Sequence, residues 1–210
     1  MKKSKKEKEG EKEENRQYKY FLYAIFFIVI FIVVVLSLRY FIPKETKLSS
    51  YSYNGFVFTN MSGLWFTEIQ KTGTNKVYNV PLHFGPKELE DITIEGDINN
   101  FNNKTQLYIT FDPTGNDFSY IALSASEISI NLAQTLNITP VAACTVNDTR
   151  ICSGREIISC KEPGLPAIYL LYDNSTGIYV KNNCIFVQGQ GKELVRAADR
   201  LLLKWFSVMP

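Results

Sequence analysis

Between Lys19 and Arg39 lie nineteen consecutive uncharged residues, YFLYAIFFIVIFIVVVLSL. As a helix rising about 1.5 Å per residue they extend roughly 28 Å, close to the hydrocarbon thickness of a bilayer. A core helix of a soluble domain carries a polar stripe, and this run has none. Tyr18, Tyr20 and Tyr23 before it, and Tyr40 and Phe41 after it, suit the aromatic belts of the two membrane interfaces. The run is longer than the apolar region of a cleaved signal peptide, and the following SLRYFIPK provides no small-residue cleavage site. Residues 20–42 therefore read as a retained transmembrane signal anchor. Lys12, Arg16 and Lys19, with five lysines upstream, outweigh Arg39, Lys44 and Lys47 beyond the span. That bias predicts a cytoplasmic N-terminus and an extracytoplasmic segment from residue 43 onward. Within the span only Ala24 and Ser37 are small and no GxxxG occurs, so a tight helix dimer is not expected.

Residues 1–19 combine eight basic with five acidic side chains and almost no apolar ones, the composition of a disordered charged cytoplasmic tail. Its interspersed glutamates favour a topology determinant over a headgroup-binding element. Residues 43–210 hold fourteen basic and sixteen acidic side chains, a net of −2. With no cationic excess to neutralise phosphates, nucleic acid is excluded as a partner.

Two further features mark this segment as facing outward. All four cysteines, Cys144, Cys152, Cys160 and Cys184, follow the span. In an oxidising compartment an even set reads as two disulfides. All five N-x-S/T sequons, at Asn60, Asn103, Asn137, Asn147 and Asn174, likewise follow the span and suggest a glycosylated surface. A zinc site would need short C-x(2–4)-C pairs, whereas the intervening lengths are seven, seven and twenty-three residues, and the single histidine, His83, lies far upstream. Cys144 ends a β run and Cys152 follows a turn-like stretch, while Cys160 and Cys184 lie at the ends of two other β runs. The expected pairing is Cys144–Cys152 and Cys160–Cys184.

Residues 43–51 form a polar spacer, and 52–210 read as one extracytoplasmic α+β domain with a mixed β-sheet and two main helices. GFVFTNMSGLWFTEIQ, residues 55–70, is a hairpin pattern around Asn60–Gly63. Residues 77–86 carry two prolines and suit an irregular or edge segment, and Ile92–Ile98 a short strand. LYITFDP, a helix over about 118–136, and ITPVAACT form a strand–helix–strand crossover. Ile121, Ala125, Ile128 and Leu132 define the helix's inner face, and Asp117 or Ser119 can cap it. REIISCK, AIYLLYD, GIYVK and CIFVQ suggest a meander of neighbouring antiparallel strands. A last helix over 192–209 has an apolar face of Leu194, Ala198, Leu201, Trp205 and Val208.

Signals for chemistry are sparse. VQGQGKEL places a G-x-G before a helix, but a dinucleotide fingerprint needs a third glycine where Leu194 stands, so a plain tight turn is the expectation. Lys192, Arg196, Arg200 and Lys204 recur every four residues, a possible interaction stripe for headgroups or an acidic partner, with a solvated face the commoner outcome. No G-x-S-x-G accompanies His83, carboxylate pairs occur but spacing does not choose among them, and the oxygen-rich Asp112–Asp117 stretch lacks the alternation of a calcium loop. No catalytic residue, no metal ligand and no cofactor is expected, and the chain is not read as an enzyme.

The stretch YITFDP…SEISINLAQTLNITPVAACT…CIFVQGQGKELVRAADRLLLKW resembles uncharacterised single-pass membrane proteins of small-genome archaea. The resemblance covers most of the outer domain and implies a membrane-anchored envelope protein without a known activity. The reading is thus a membrane-anchored envelope or cell-surface protein. Its outer domain mediates protein or glycan interaction with an envelope or membrane protein partner. The alternative is a small-ligand receptor or an accessory subunit of a membrane complex.

Overall fold

A computed structural model describes residues 19–37 and 49–210, apart from 72, 116–117, 148–149 and 162. The tail, the end of the anchor, most of the spacer and the Asp117 cap lie outside the described residues. The chain divides into two units, one ending at Lys47 and one spanning Leu48–Pro210. In the first, helix α1 (Lys19–Ser37) has a mean hydropathy of 2.9 and exposed side chains throughout, and is long and apolar enough to cross a membrane.

The second unit contains two sheets rather than the single one expected. Strands β1 (Ser49–Tyr53), β2 (Phe56–Met61), β3 (Leu64–Gln70) and β4 (Val77–Leu82) form an antiparallel meander in sequence order. The first strand thus begins inside the stretch read as a spacer. Asn54-Gly55 and Ser62-Gly63 each have positive φ at both residues, and they close the pairs Tyr53–Phe56 and Met61–Leu64. These are mirror-image two-residue turns, whose twist matches that of the flanking strands. The second hairpin therefore turns at Ser62-Gly63, and Asn60 lies within β2. Side chains alternate: Phe58, Thr67, Ile69, Val80 and Leu82 are buried, whereas Val57, Met61 and Val77 are exposed. Pro81 is tolerated because β4 is an edge strand, as the prolines suggested.

The larger sheet takes β5 (Ile94–Glu95), β6 (Gln106–Phe111), β7 (Thr139–Cys144), β8 (Glu156–Ile157), β9 (Ala167–Tyr172), β10 (Gly177–Lys181) and β11 (Cys184–Gly189) in the order β5-β10-β11-β9-β6-β7-β8. Helix α2 (Phe118–Asn131) connects the parallel strands β6 and β7, so the expected crossover is present. It continues as a π-helical turn, Leu132–Leu136, and ends at Asn137 in the left-handed region. Helix α3 (Lys192–Trp205) follows β11 and stops four residues before the expected end.

The expected meander after residue 155 is a correction. Only β10 and β11 are antiparallel neighbours, joined by Asn182-Asn183, both at positive φ. Strand β9 runs parallel to β11 and to β6, and β8 pairs instead with β7 at the far edge. Strands β9 and β11 are apolar on both faces, and such runs carry no alternation to fix their neighbours. Only two residues of REIISCK are strand, and Cys160 sits in a bend at positive φ.

Both faces of the large sheet are covered. Leu107, Ile109, Ile168, Leu170, Ile185 and Val187 belong to the main core with α2, α3 and the inner face of the meander. On the opposite face Ala143, Ala167, Cys184 and Phe186 pack with Ile158 and Cys160. That covering segment is tied down by the Thr110 hydroxyl, which donates to the Ile158 carbonyl at 2.8 Å.

Candidate functional site

Just past β4 the chain turns inward and places His83 against both main helices. His83 Nδ1 lies 3.2 and 3.1 Å from the two carboxylate oxygens of Glu127 on α2. Asp199 on α3 accepts the Phe84 amide through Oδ2 at 2.8 Å, while its Oδ1 has no hydrogen-bond partner. One donor atom from each of the three side chains lies within 4.8 Å of the others. Asp199 is fully buried, Glu127 is nearly so, and the His83 side chain is 36% exposed. Burial, then the Glu127 charge, pushes the Asp199 carboxyl well above the usual carboxylate range, with the Phe84 amide opposing. Burial raises Glu127 as well, against the pull of His83.

The local sequence explains how the three meet. Gly85 is pressed against Trp65 and Tyr51, and a Cβ there would overlap the tyrosine hydroxyl. The Glu88 carboxylate then accepts both the Trp65 indole N–H at 2.8 Å and the Gly85 amide at 2.9 Å. This fastens the 83–88 turn to the meander. On α2, Glu127 is buried with Ile121, Ser124, Ile128 and Asn131. Asp199 is flanked on α3 by Val195, Leu202 and Leu203, all buried. An acid set among apolar residues at helical spacing was the available signal, and the sequence expectation of no metal-ligating residue passed over it. The chemistry open to one imidazole and two carboxylates is proton sharing or cation binding.

The basic stripe does not form one exposed row. Arg200 is buried, its Nε donating to the Ile92 carbonyl at 3.3 Å and its Nη2 to the Pro210 carbonyl at 2.6 Å. Arg196 is bound to Glu193 and Asp91, both at 2.6 Å, and to the Glu88 carbonyl. Only Lys192 is exposed, with Lys204 half-buried. The cause is that α3 is covered by β11, α2 and the 86–88 turn together, leaving little of the solvated flank that amphipathic logic assigns it.

The remaining sequence candidates fall at separate places. Gly189 ends β11 so close to the backbone of Glu193 and Leu194 that a Cβ would stand 2.6 Å from both, and Gly191 caps α3 at φ +60°. Chain packing accounts for both glycines. The disulfides pair as expected, Cys144–Cys152 and Cys160–Cys184, with Cα separations of 5.9 and 6.0 Å. Asn103, Asn137, Asn147 and Asn174 are exposed, while Asn60 is half-buried on β2. The outer face of the meander holds a concavity of about 630 Å³, bordered by Val57, Thr59, Met61, Phe66, Glu68 and Asn79 among others. Compared with known proteins, the chain matches no family model, no curated protein and no solved structure.

Proposed function

We propose that this chain is a single-pass membrane protein of the envelope or cell surface whose outer domain docks another protein through the open face of the β1–β4 sheet. The N-terminus is cytoplasmic and residues 43–210 lie outside, where the exposed sequons can carry glycans. Support for the placement comes from the basic bias before α1 and from two disulfides, which persist in oxidising compartments.

One observation carries the docking reading. Val57 is 58% exposed, Val77 57% and Met61 38%, all on one face of a sheet whose other face is core. Nothing among the described residues covers them. Val57 and Met61 border the concavity together with Phe66, and exposed apolar side chains at a recess on an uncovered sheet face suit the seating of a partner.

Photocrosslinking in the native membrane tests this. A benzophenone amino acid at Val57 or Val77 should give a discrete adduct that the same probe at Asn103 does not. Protease added to right-side-out vesicles should remove the outer domain. Equal, diffuse labelling at all three positions would overturn the docking surface, and protection of the domain would overturn the orientation.

A further inference from the structure

Two carboxylates, Glu127 and Asp199, are buried side by side, and among the described residues the basic side chain beside them is the half-exposed imidazole of His83. Among the described residues, no lysine or arginine forms an ion pair with either. Asp199 Oδ1, fully buried, has no fixed N–H or O–H donor, and the side chain within hydrogen-bonding reach of the Asp199 carboxyl is the Glu127 carboxyl. Two buried carboxylates facing one another are costly unless they share a proton or hold a cation between them.

We propose that His83, Glu127 and Asp199 are the three protein ligands of a divalent transition-metal ion, with zinc the best match. One imidazole and two carboxylates form a nitrogen–oxygen donor set that suits zinc, and no thiolate competes because all four cysteines are bridged. Zinc ligands at about 2.0–2.2 Å from the metal stand roughly 3.4 Å apart at the tetrahedral angle. The spacing of His83 Nδ1 from the Glu127 oxygens, 3.1 and 3.2 Å, is already near that value. Asp199 needs only a small closure from within the 4.8 Å envelope. The Phe84 amide on Oδ2 fixes the Asp199 carboxylate from behind, the kind of outer partner that orients metal-ligating carboxylates. The His83 side chain is 36% exposed, which gives the ion an entry path.

The three ligands also define what the ion does for the fold. His83 follows the last strand of the open sheet, whereas Glu127 and Asp199 belong to helices lying on the large sheet. The metal locks one sheet to the other. This inference is independent of the docking surface.

The test uses the full chain in detergent, stripped with chelator and then titrated with zinc, manganese and magnesium chlorides by calorimetry. We expect one zinc per chain and an upward shift in the thermal midpoint, with magnesium giving neither. His83→Gln, at a half-exposed position, should leave the chelated chain folded, and its own metal-free midpoint is the reference for any shift on adding zinc. It should weaken zinc binding by about 100-fold or more, beyond what loss of an outer-shell partner causes. Glu127→Gln should do the same. Because the chain has a single histidine, zinc should also shift its only imidazole resonance in a histidine-labelled sample. Absence of stoichiometric zinc binding, or undiminished binding by both variants, would overturn the proposal and leave a proton shared between the two carboxyls.

Discussion

The two sheets of the Leu48–Pro210 unit solve burial in opposite ways. The meander alternates, with Val80 and Leu82 inward on β4 and Val77 outward, and one face stays open. The large sheet is closed on both faces, so β11 reads Cys-Ile-Phe-Val with four consecutive buried residues. Its first cover is the pair α2 and α3, and its second is the segment around Ile158 and Cys160, held by the bridge to Cys184. A sheet that is antiparallel, local and one-sided can spare a face for a partner. A mostly parallel sheet cannot, because its crossovers lay chain over it.

Substitutions on β11 should break the large sheet from either side. Phe186→Ala, facing Tyr169 and Tyr179, should cost about 3–5 kcal/mol, and Ile185→Ala, facing the helices, about 2–5 kcal/mol. Denaturant unfolding of the full chain in detergent measures both, and a negligible loss at Phe186 would mean that the second face is open after all.

Removing the bridges sharpens the same contrast. By loop-closure entropy, replacing Cys160 and Cys184 with serine should cost about 3.5 kcal/mol and replacing Cys144 and Cys152 about 2.6 kcal/mol. The order follows from sequence separations of 24 and 8 residues. Equal midpoints for the two double variants would contradict it.

Along α3, Arg200→Ala should cost about 1–3 kcal/mol, since it orphans the Ile92 and Pro210 carbonyls, whereas exposed Lys192→Ala should stay within about 0.5 kcal/mol. The smallest effects belong to the open face. Val57→Ser and Val77→Ser should each change stability by no more than about 0.5 kcal/mol while weakening crosslinking to the partner.

Much of this architecture was legible in the residues, and the divide has a physical cause. The second hairpin announces itself around Asn60–Gly63 and α2 through Ile121, Ile128 and Leu132 at helical spacing, whereas the Asn54-Gly55 turn is passed over because the polar β1 reads as spacer. The cysteine pairing followed from which β runs end in cysteine. Strand order in the large sheet did not follow, because AIYLLY and CIFVQ are apolar on both faces and either could neighbour the other in either sense. The basic stripe misled for a related reason. Arg200 obeys its four-residue spacing, but whether that flank meets water depends on the turn at 86–88, which is over 100 residues away in the chain. The His83–Glu127–Asp199 cluster needed three elements to converge: His83 stands out as the single histidine, but nothing in the spacing ties it to Glu127 or Asp199, two of 21 acidic residues.

Hydroxyl-radical footprinting of Met61 and Phe66 puts the contrast between open and closed sheets to its most direct test. It compares the purified full chain in a nanodisc with the same chain in its native membrane, using Phe186 as the buried reference. The account predicts rapid oxidation of Met61 and Phe66 in the nanodisc, strong protection of both in the native membrane, and slow oxidation of Phe186 in each. Equal oxidation of Met61 and Phe66 in the two settings would contradict it, because the open face would then have no partner.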